Sequence, residues 1–172
     1  MLGLKNYMFK NGFRFAHLGL SGGIDSALTL AIIADTIESE NIYSFYLPSK
    51  YSSNDSKKDA ESLSKNVGVK TLEISIERLR NSILNQLNPI FKNYKEDVTE
   101  ENIQSRVRGL ILMALSNKLN SLLITTGNKS ELAVGYSTLY GDMCGGYSLL
   151  KDVYKTDVFE LCRWRNDNIL PQ

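Results

Sequence analysis

Along the chain, short apolar runs alternate with longer stretches in which apolar residues recur at helical spacing. Four short runs bounded by glycine, proline or polar residues predict β-strands over 13–20, 41–48, 69–76 and 121–128. The periodic stretches predict helices over 27–37, 59–68, 76–87, 99–119, from 129 onward and over 154–166. Strands that alternate with helices favour parallel pairing, with helices on both faces of one sheet. The pattern therefore predicts an α/β fold built on a doubly wound parallel sheet.

Particular residues set the bounds of two predicted helices and mark two unusual loops. Gly68 lies where a left-handed residue closes a helix. Thr99 is a favourable N-cap, and the two glutamates after it suit the positive end of a helix. Residues 88–101 are polar and show little periodicity, which predicts a loop, either a mobile lid or a solvated connection. Residues 141–146 contain three glycines, which indicates that the backbone there approaches another group closely.

Composition narrows the class of protein. The 172 residues fit one domain. Lys plus Arg (20) and Asp plus Glu (19) nearly cancel, which argues against a surface built for nucleic acid or an anionic membrane. No apolar run approaches a membrane span of ~20 residues, and the first residues lack a signal-peptide core. We therefore expect a cytoplasmic protein, in which Cys144 and Cys162 are reduced thiols rather than a disulfide.

The most distinctive local motif lies between the first predicted strand and its helix, where residues 19–26 are GLSGGIDS. Such glycines turn backbone amides inward, and the helix that follows offers its positive N-terminus to an anion. The motif is neither a P-loop, since no lysine follows the glycines, nor a GxGxxG fingerprint. Asp25 would repel a phosphate unless a hard cation such as Mg²⁺ bound both groups. The alternative is a tight turn in which Asp25 or Ser26 caps the helix and no ligand binds.

The loop resembles the SGGxDS loop of enzymes that cleave ATP to AMP and pyrophosphate. Three further segments, 101–109 (ENIQSRVRG), 125–146 (TTGNKSELAVGYSTLYGDMCGG) and 154–166 (YKTDVFELCRWRN), resemble the NAD synthetase family. The similarity covers nearly the full chain and is nearer to the synthetase portion of glutamine-dependent members than to ammonia-only members. It implies an adenine nucleotide alpha hydrolase-like fold, with residues 1–172 forming the ATP-pyrophosphatase domain of that family.

The same resemblance implies a reaction and its partners. Members amidate deamido-NAD to NAD, using ATP and Mg²⁺, through an acyl-adenylate that releases AMP and pyrophosphate. Ammonia would be free or delivered from glutamine by another domain, and the protein would be a homodimer. Relatives are longer, so we expect this chain to lack their C-terminal part and their upstream glutaminase domain. We expect such a chain to bind ATP weakly and to make NAD poorly or not at all.

The resemblance also implies roles for individual residues. The ATP phosphates would bind the loop formed by Gly19, Leu20, Ser21, Gly22, Gly23, Ile24, Asp25 and Ser26. Ser49, Thr126 and Lys155 would contact other parts of ATP or its phosphates. Mg²⁺ would bind Asp25, with Glu131 as a second acid near the metal or deamido-NAD. Asn102 and Arg106 would face deamido-NAD, and Asp25 and Lys155 are the candidate catalytic residues.

Each residue type also has a purely structural explanation. Glu131 could complement a helix dipole, and Thr126 could cap the helix after the fourth strand. Lys155 could be a solvated helix lysine. Arg106 and Arg108 could pair with Glu100 or Glu101, as surface ion pairs of small energy. His17, the only histidine, falls in the first predicted strand, where packing beside the core is favoured over catalysis.

Two other classes of function stay open at this point. One is another enzyme with the same loop, such as a GMP synthetase, an asparagine synthetase or a tRNA-modifying ligase. The run over 125–146 disfavours the first two, and the near-neutral charge disfavours the third. The other is a nucleotide-binding module without turnover, which the joint presence of Asp25, Glu131 and Lys155 disfavours.

Overall fold

Five parallel strands form the centre of the molecule in the computed structural model, which describes residues 1–168. The strands are β1 (Phe15–Gly19), β2 (Ile42–Tyr46), β3 (Thr71–Glu73), β4 (Ser121–Thr125) and β5 (Tyr147–Ser148), and their spatial order is β3-β2-β1-β4-β5. All four predicted strands are confirmed, each shorter than its apolar run. The sequence pattern misses β5, because a two-residue strand gives no alternation to detect.

Helices connect and cover these strands. Within the described residues they are α1 (Leu2–Asn11), α2 (Ile24–Ala34), α3 (Asn54–Asn66), α4 (Glu77–Phe91), α5 (Val98–Leu119), α6 (Lys129–Ala133) and α7 (Lys155–Asn168). α1 was not predicted: it buries only Leu4 and Met8, while Leu2 and Phe9 are exposed, so the segment shows no clear apolar face. The other six helices were predicted.

The helices lie on both faces of the sheet, as the doubly wound prediction requires. On one face, α1, α2 and α3 pack on the side chains of Ala16 and Leu18 from β1. On the other face, α4 and α5 pack on Phe45 and Leu47 at the end of β2. Val158 of α7 is fully buried with Leu28 of α2, so α7 extends the first layer.

The strand order reverses between β1 and β4. From β1 the chain adds β2 and β3 on one side, and then returns to add β4 and β5 on the other. In open α/β sheets, ligands bind outside the carboxyl ends of the strands at such a reversal. The fold therefore places residues 19–26, after β1, and residues 126–128, after β4, at the position where a ligand is expected.

Several predicted boundaries are wrong, such as that of α3, which begins at Asn54 rather than at 59. Local capping explains the start of α5. The N-cap of α5 is Asp97 rather than Thr99: the Asp97 side chain accepts the Thr99 N–H at 2.8 Å, while Glu100 accepts the Asp97 N–H. The predicted loop over 88–101 is helical at both ends and non-helical only over 92–97. Gly68 closes α3 in the left-handed conformation, with φ +68, as predicted.

Within residues 1–168, no helix has both the length and the apolar character that crossing a membrane requires. Cys144 and Cys162 are free thiols, as expected, and each is only partly buried. Burial is the main cause that raises the pKa of both thiols above its ordinary value.

His17 belongs to the core, which confirms its structural role. It is fully buried in β1, where Nε2 lies 3.0 Å from the Leu112 carbonyl oxygen of α5 and Nδ1 lies 2.9 Å from the Ser121 hydroxyl. The neutral ring satisfies both contacts by donating from Nε2 and accepting at Nδ1. Burial lowers the pKa of His17 below its ordinary value of 6.5.

Stability is therefore expected to depend on pH through His17. Because its folded-state pKa is lowered, the unfolded chain binds the extra proton more readily, and stability is lost as pH falls below about 6.5. The slope should approach about 1.4 kcal/mol per pH unit, the limit for one proton. Urea unfolding between pH 5.5 and 7.5 measures it, and the slope should vanish in His17→Gln. An equal slope in that variant would contradict the assignment.

Candidate active site

Residues 19–26 form a compact turn between β1 and α2. The Ser26 hydroxyl donates to the Gly23 carbonyl at 2.9 Å and accepts the Ser21 N–H at 3.2 Å. The Ser21 hydroxyl lies 3.1 Å from the Ser26 hydroxyl and accepts the Gly23 N–H at 3.2 Å. Both serines therefore hold the loop in shape, a role that the sequence analysis did not assign to them. The first N–H groups of α2 have no partner within their own helix and are available to an anion.

Gly22 allows this loop to lie directly against the start of α3. Its φ is +84, and a Cβ atom there would lie 2.8 Å from the Ser56 Cα. Only glycine fits both the conformation and the contact. The N-terminus of α3 consequently lies beside that of α2. Ser53 caps α3, and its side chain accepts the Ser56 N–H at 3.1 Å.

Asp25, in the first turn of α2, is held by two other segments. Asn128 Nδ2 donates to its Oδ1 at 3.0 Å, and Lys155 Nζ forms an ion pair with its Oδ2. The Asp25 side chain is 16% exposed, whereas that of Lys155 is 38% exposed. The structure thus brings together the two candidate catalytic residues, which lie far apart in sequence.

Glu131 reaches the same cluster through Asn128. The two residues form a capping box at the start of α6, in which Asn128 Oδ1 accepts the Glu131 N–H at 3.1 Å and Glu131 Oε2 accepts the Asn128 N–H at 3.2 Å. The helix cap is therefore Asn128 rather than Thr126. The capping role of Asn128 was not predicted, although an asparagine three residues before a glutamate is a capping signature.

Two ion pairs fix α7 beside α2. Lys155 pairs with Asp25 near the start of both helices, and Arg165 pairs with Asp35 near their ends, through contacts of 2.8 and 3.1 Å. The two acids, Asp25 and Asp35, are ten positions apart, and so are the two bases. The two helices therefore run parallel in matched register. The Lys155 N–H also donates to Ser130 at 3.0 Å. These contacts determine where the Lys155 ammonium lies.

A cavity of about 420 Å³ opens at the carboxyl ends of β1, β2 and β4. Gly19, Leu20 and Ser21 form one side of it, and Thr126 lies at its β4 end. Its apolar lining comes from Phe45, Tyr46, Leu47, Leu112, Leu123, Ile124 and Cys144. We call this space the nucleotide cavity, after the ligand that the sequence leads us to expect beside residues 19–26.

A second and more polar cavity, of about 800 Å³, adjoins the first. It lies between the segment after β2, which carries Ser49, and the start of α5, which carries Asn102. The two cavities share Ser52, Ser105, Arg108 and Asp142 as lining residues. We call it the polar cavity. Asn102 Oδ1 accepts the Thr138 hydroxyl at 2.9 Å within it.

Arg106 lies apart from these residues, although it is one helical turn from Asn102. Its side chain lines a separate apolar cavity of about 470 Å³, and its Nε donates to the Leu139 carbonyl at 3.2 Å. The structure therefore does not bring Asn102 and Arg106 to one cavity. Arg108, two positions further along, lines both principal cavities instead. The sequence suggested only a surface ion pair for Arg108, and none of the ion pairs within residues 1–168 includes it.

The glycine-rich segment 141–146 packs against β4, as its composition predicted. Gly145 has φ +156, and a Cβ atom there would lie 2.5 Å from Thr125 Cγ2. The Gly146 N–H donates to the Leu123 carbonyl at 2.9 Å. This close approach places Cys144 on the wall of the nucleotide cavity.

The acidic residues suit a cation that also binds a ligand. In the part of the chain that the structure describes, no group of three or more His, Cys, Asp or Glu side chains could hold a metal alone. Mg²⁺ needs no such cage, because it commonly binds one or two carboxylates together with substrate phosphates. Asp25 keeps lone pairs beyond the two used by Asn128 and Lys155. It therefore fits a metal that a phosphate ligand would complete.

Comparisons with known proteins agree with this architecture. A glutamine-dependent NAD(+) synthetase of Xanthomonas campestris is 56% identical over 164 residues, which are 95% of this chain and 30% of that protein. The solved structure of the glutamine-dependent NAD+ synthetase from Acinetobacter baumannii in complex with ADP superposes with a TM-score of 0.94 at 50% identity. That match covers 97% of this chain and 32% of the other.

An NH3-dependent NAD synthetase from Campylobacter jejuni superposes with a TM-score of 0.86 at 28% identity, covering 95% of this chain and 69% of that one. The chain thus spans about 30% of the length of the glutamine-dependent relative from Xanthomonas. The sequence profile of the NAD synthase family matches residues 1–172. The chain belongs to the NAD synthase family, whose members share its adenine nucleotide alpha hydrolase-like fold.

Proposed function

We propose that this chain carries the catalytic site for ATP-dependent amidation of deamido-NAD to NAD. The observation that carries the proposal is the convergence of an anion-binding loop, the Asp25–Lys155 pair and a cavity of about 420 Å³ at the β1–β4 reversal. The names of the relatives support the reaction, and the ADP bound to the Acinetobacter protein supports an adenine nucleotide as ligand.

ATP would occupy the nucleotide cavity with its phosphates against residues 19–26. The inward amides and the α2 N-terminus would bind the phosphate oxygens. The apolar walls would bury the adenine ring, and Thr126 would contact the nucleotide from the end of β4. Ser49 lines the adjoining polar cavity rather than this one, so its predicted contact would be with the part of ATP nearest that cavity.

Asp25 would hold Mg²⁺, with Glu131 as the second carboxylate near it. When bound there, the metal supplies positive charge to the phosphates and to the departing pyrophosphate. Asn128 restricts the orientation of the Asp25 carboxylate, since it donates to one of its oxygens. Glu131 already accepts the Asn128 N–H, so any contact with metal or deamido-NAD would have to share that carboxylate.

The chemistry would proceed in two displacements. A carboxylate oxygen of deamido-NAD would attack the α-phosphorus of ATP, forming an acyl-adenylate while the bond to pyrophosphate breaks. Ammonia would then attack the acyl carbon, lose a proton and displace AMP. Lys155 would stabilise the negative charge on the phosphates in the first step. Neither displacement needs a side-chain nucleophile, so the protein's contribution is position and charge.

Deamido-NAD would occupy the polar cavity, where Asn102 lies. The volume of about 800 Å³ suits a part of a dinucleotide. A contact of Arg106 with deamido-NAD stays a prediction, because its side chain lines a different cavity. Ammonia would come from solution or from glutamine, as the names of the two kinds of relative indicate.

A homodimer is also proposed. The apolar cavity of about 470 Å³ on α5 is bordered by Leu110, 65% exposed, and Tyr140, 80% exposed. Exposed apolar patches of this kind mark protein contacts. Sedimentation equilibrium should find a dimer, and Leu110→Lys should shift the chain toward monomer. A wild-type chain that stays monomeric at all concentrations would contradict the proposal.

The direct test of the reaction is ATP–pyrophosphate exchange. Labelled pyrophosphate should enter ATP only when Mg²⁺ and deamido-NAD are both present, because adenylate formation is reversible and needs the carboxylate. When ammonium is added, NAD formation should be slow or absent, in line with the poor turnover expected from the sequence, so exchange is the deciding signal. A nucleotide-binding module without turnover would bind ATP and show no exchange, and that result would contradict the proposal.

Asp25→Asn should weaken Mg²⁺-dependent ATP binding by about tenfold or more, since it removes the charge that holds the metal. The fold should persist, because an asparagine can still accept the Asn128 hydrogen bond. Calorimetric titration with ATP, with and without Mg²⁺, measures the effect.

A matched control is Asp55→Asn, which removes a carboxylate from the first turn of α3 that is 88% exposed. It should leave the affinity unchanged. Equal affinity in the Asp25→Asn variant and the wild type, with and without metal, would remove Asp25 from the site.

A further inference from the structure

Arg108 lies at the boundary between the two principal cavities, a position that the roles described above do not explain. Its side chain lines both the nucleotide cavity and the polar cavity. The other shared lining residues, Ser52, Ser105 and Asp142, include no second cation. A guanidinium at this boundary can contact a ligand in either cavity or one that extends through both.

The guanidinium is oriented but retains free donors. Its Nε donates to the Leu47 carbonyl at 3.0 Å, just beyond the end of β2. An arginine carries five N–H donors in one plane, so this single bond fixes the plane and leaves the terminal nitrogens for another partner. Such a fork matches two oxygens of a phosphate or a carboxylate.

The positive charge of Arg108 has no ion-pair partner. None of the ion pairs within residues 1–168 includes it. Burial lowers the pKa of the guanidinium below its ordinary value, which means that its surroundings disfavour the charge. Arginine nevertheless stays protonated in proteins. An anion bound beside it would offset the unfavourable burial.

Acidic residues are also present in the polar cavity, but most are engaged or exposed. They are Glu96, Asp97, Glu100, Glu101 and Asp142. Asp97 and Glu100 accept backbone N–H groups at the start of α5, and Asp142 accepts the Thr138 N–H at 2.7 Å. All except Glu100 are exposed, whereas Arg108 is partly buried. The arginine therefore lies deeper than most of the acids.

We propose that Arg108 binds a substrate oxyanion at the boundary between the two cavities. The inference rests on the proposed function, in which a carboxylate must approach the α-phosphate of ATP although both are anions. A guanidinium between the two cavities would reduce that repulsion. The oxyanion belongs either to ATP or to deamido-NAD, since both ligands carry phosphates.

The test compares Arg108→Met, which removes the charge but keeps an apolar stem, with Arg108→Lys, which keeps the charge. Arg78→Met is the matched control, because Arg78 is exposed on α4 and lines neither principal cavity. Calorimetry with ATP plus Mg²⁺ and, separately, with deamido-NAD should show about a tenfold or larger loss for at least one ligand in Arg108→Met. Arg108→Lys should lose less, and Arg78→Met should lose nothing.

The ligand that loses affinity identifies the source of the oxyanion. Raising the salt concentration should weaken that ligand's binding more in the wild type than in Arg108→Met. Equal affinity of the wild type and Arg108→Met for both ligands would overturn the inference. A purely structural role would also overturn it. That role would lower the unfolding temperature, weaken ligand binding equally in the Met and Lys variants and leave the salt dependence of binding unchanged. A wild-type chain that binds neither ligand contradicts the proposed function itself, and that result needs no variant.

Discussion

The site depends on the carboxylate of Asp25, through which three segments of the chain meet. Asp25 projects from the first turn of α2, accepts a hydrogen bond from Asn128 after β4 and pairs with Lys155 at the start of α7. A carboxylate inside a loop that is proposed to bind phosphate would repel that phosphate. Its retention there is explained by the cations around it, Lys155 in the protein and Mg²⁺ in the proposed complex.

The rest of the architecture keeps these three segments in place. The pairing of β1 with β4 brings the loop 19–26 beside Asn128, and the Asp35–Arg165 ion pair fixes the register of α7 on α2. Both helices begin at the site, so their positive ends add to the charge of Lys155. Two cavities meet at this edge of the sheet, and Arg108 lies where they join. This arrangement can therefore position substrates and supply positive charge, and the proposed chemistry needs no side-chain nucleophile.

The sequence predicted the doubly wound sheet because four strands and six helices have clear periodicity and boundary signals. The spacing of the glycines and Asp25 also marked residues 19–26 as a candidate phosphate site. The structure shows a compact turn there, and phosphate binding stays a prediction. The pairing of Asp25 with Lys155 could not be derived from local pattern, because 130 positions separate the partners and only the tertiary fold joins them. Similarly, helical spacing grouped Asn102 with Arg106, but the loop that carries Leu139 and Tyr140 separates the cavities that they line. The cap at Asn128 was missed although its signature was local.

The central claim is that ATP binds at the β1–β4 reversal, with Asp25 holding the metal that its phosphates complete. The most direct measurement is a crystal structure with a non-hydrolysable ATP analogue and Mn²⁺ in place of Mg²⁺, in which anomalous scattering locates the metal. The account predicts a metal coordinated by an Asp25 oxygen and by phosphate oxygens that lie against residues 19–26. An analogue bound outside the nucleotide cavity, or a metal bound away from Asp25, would contradict it.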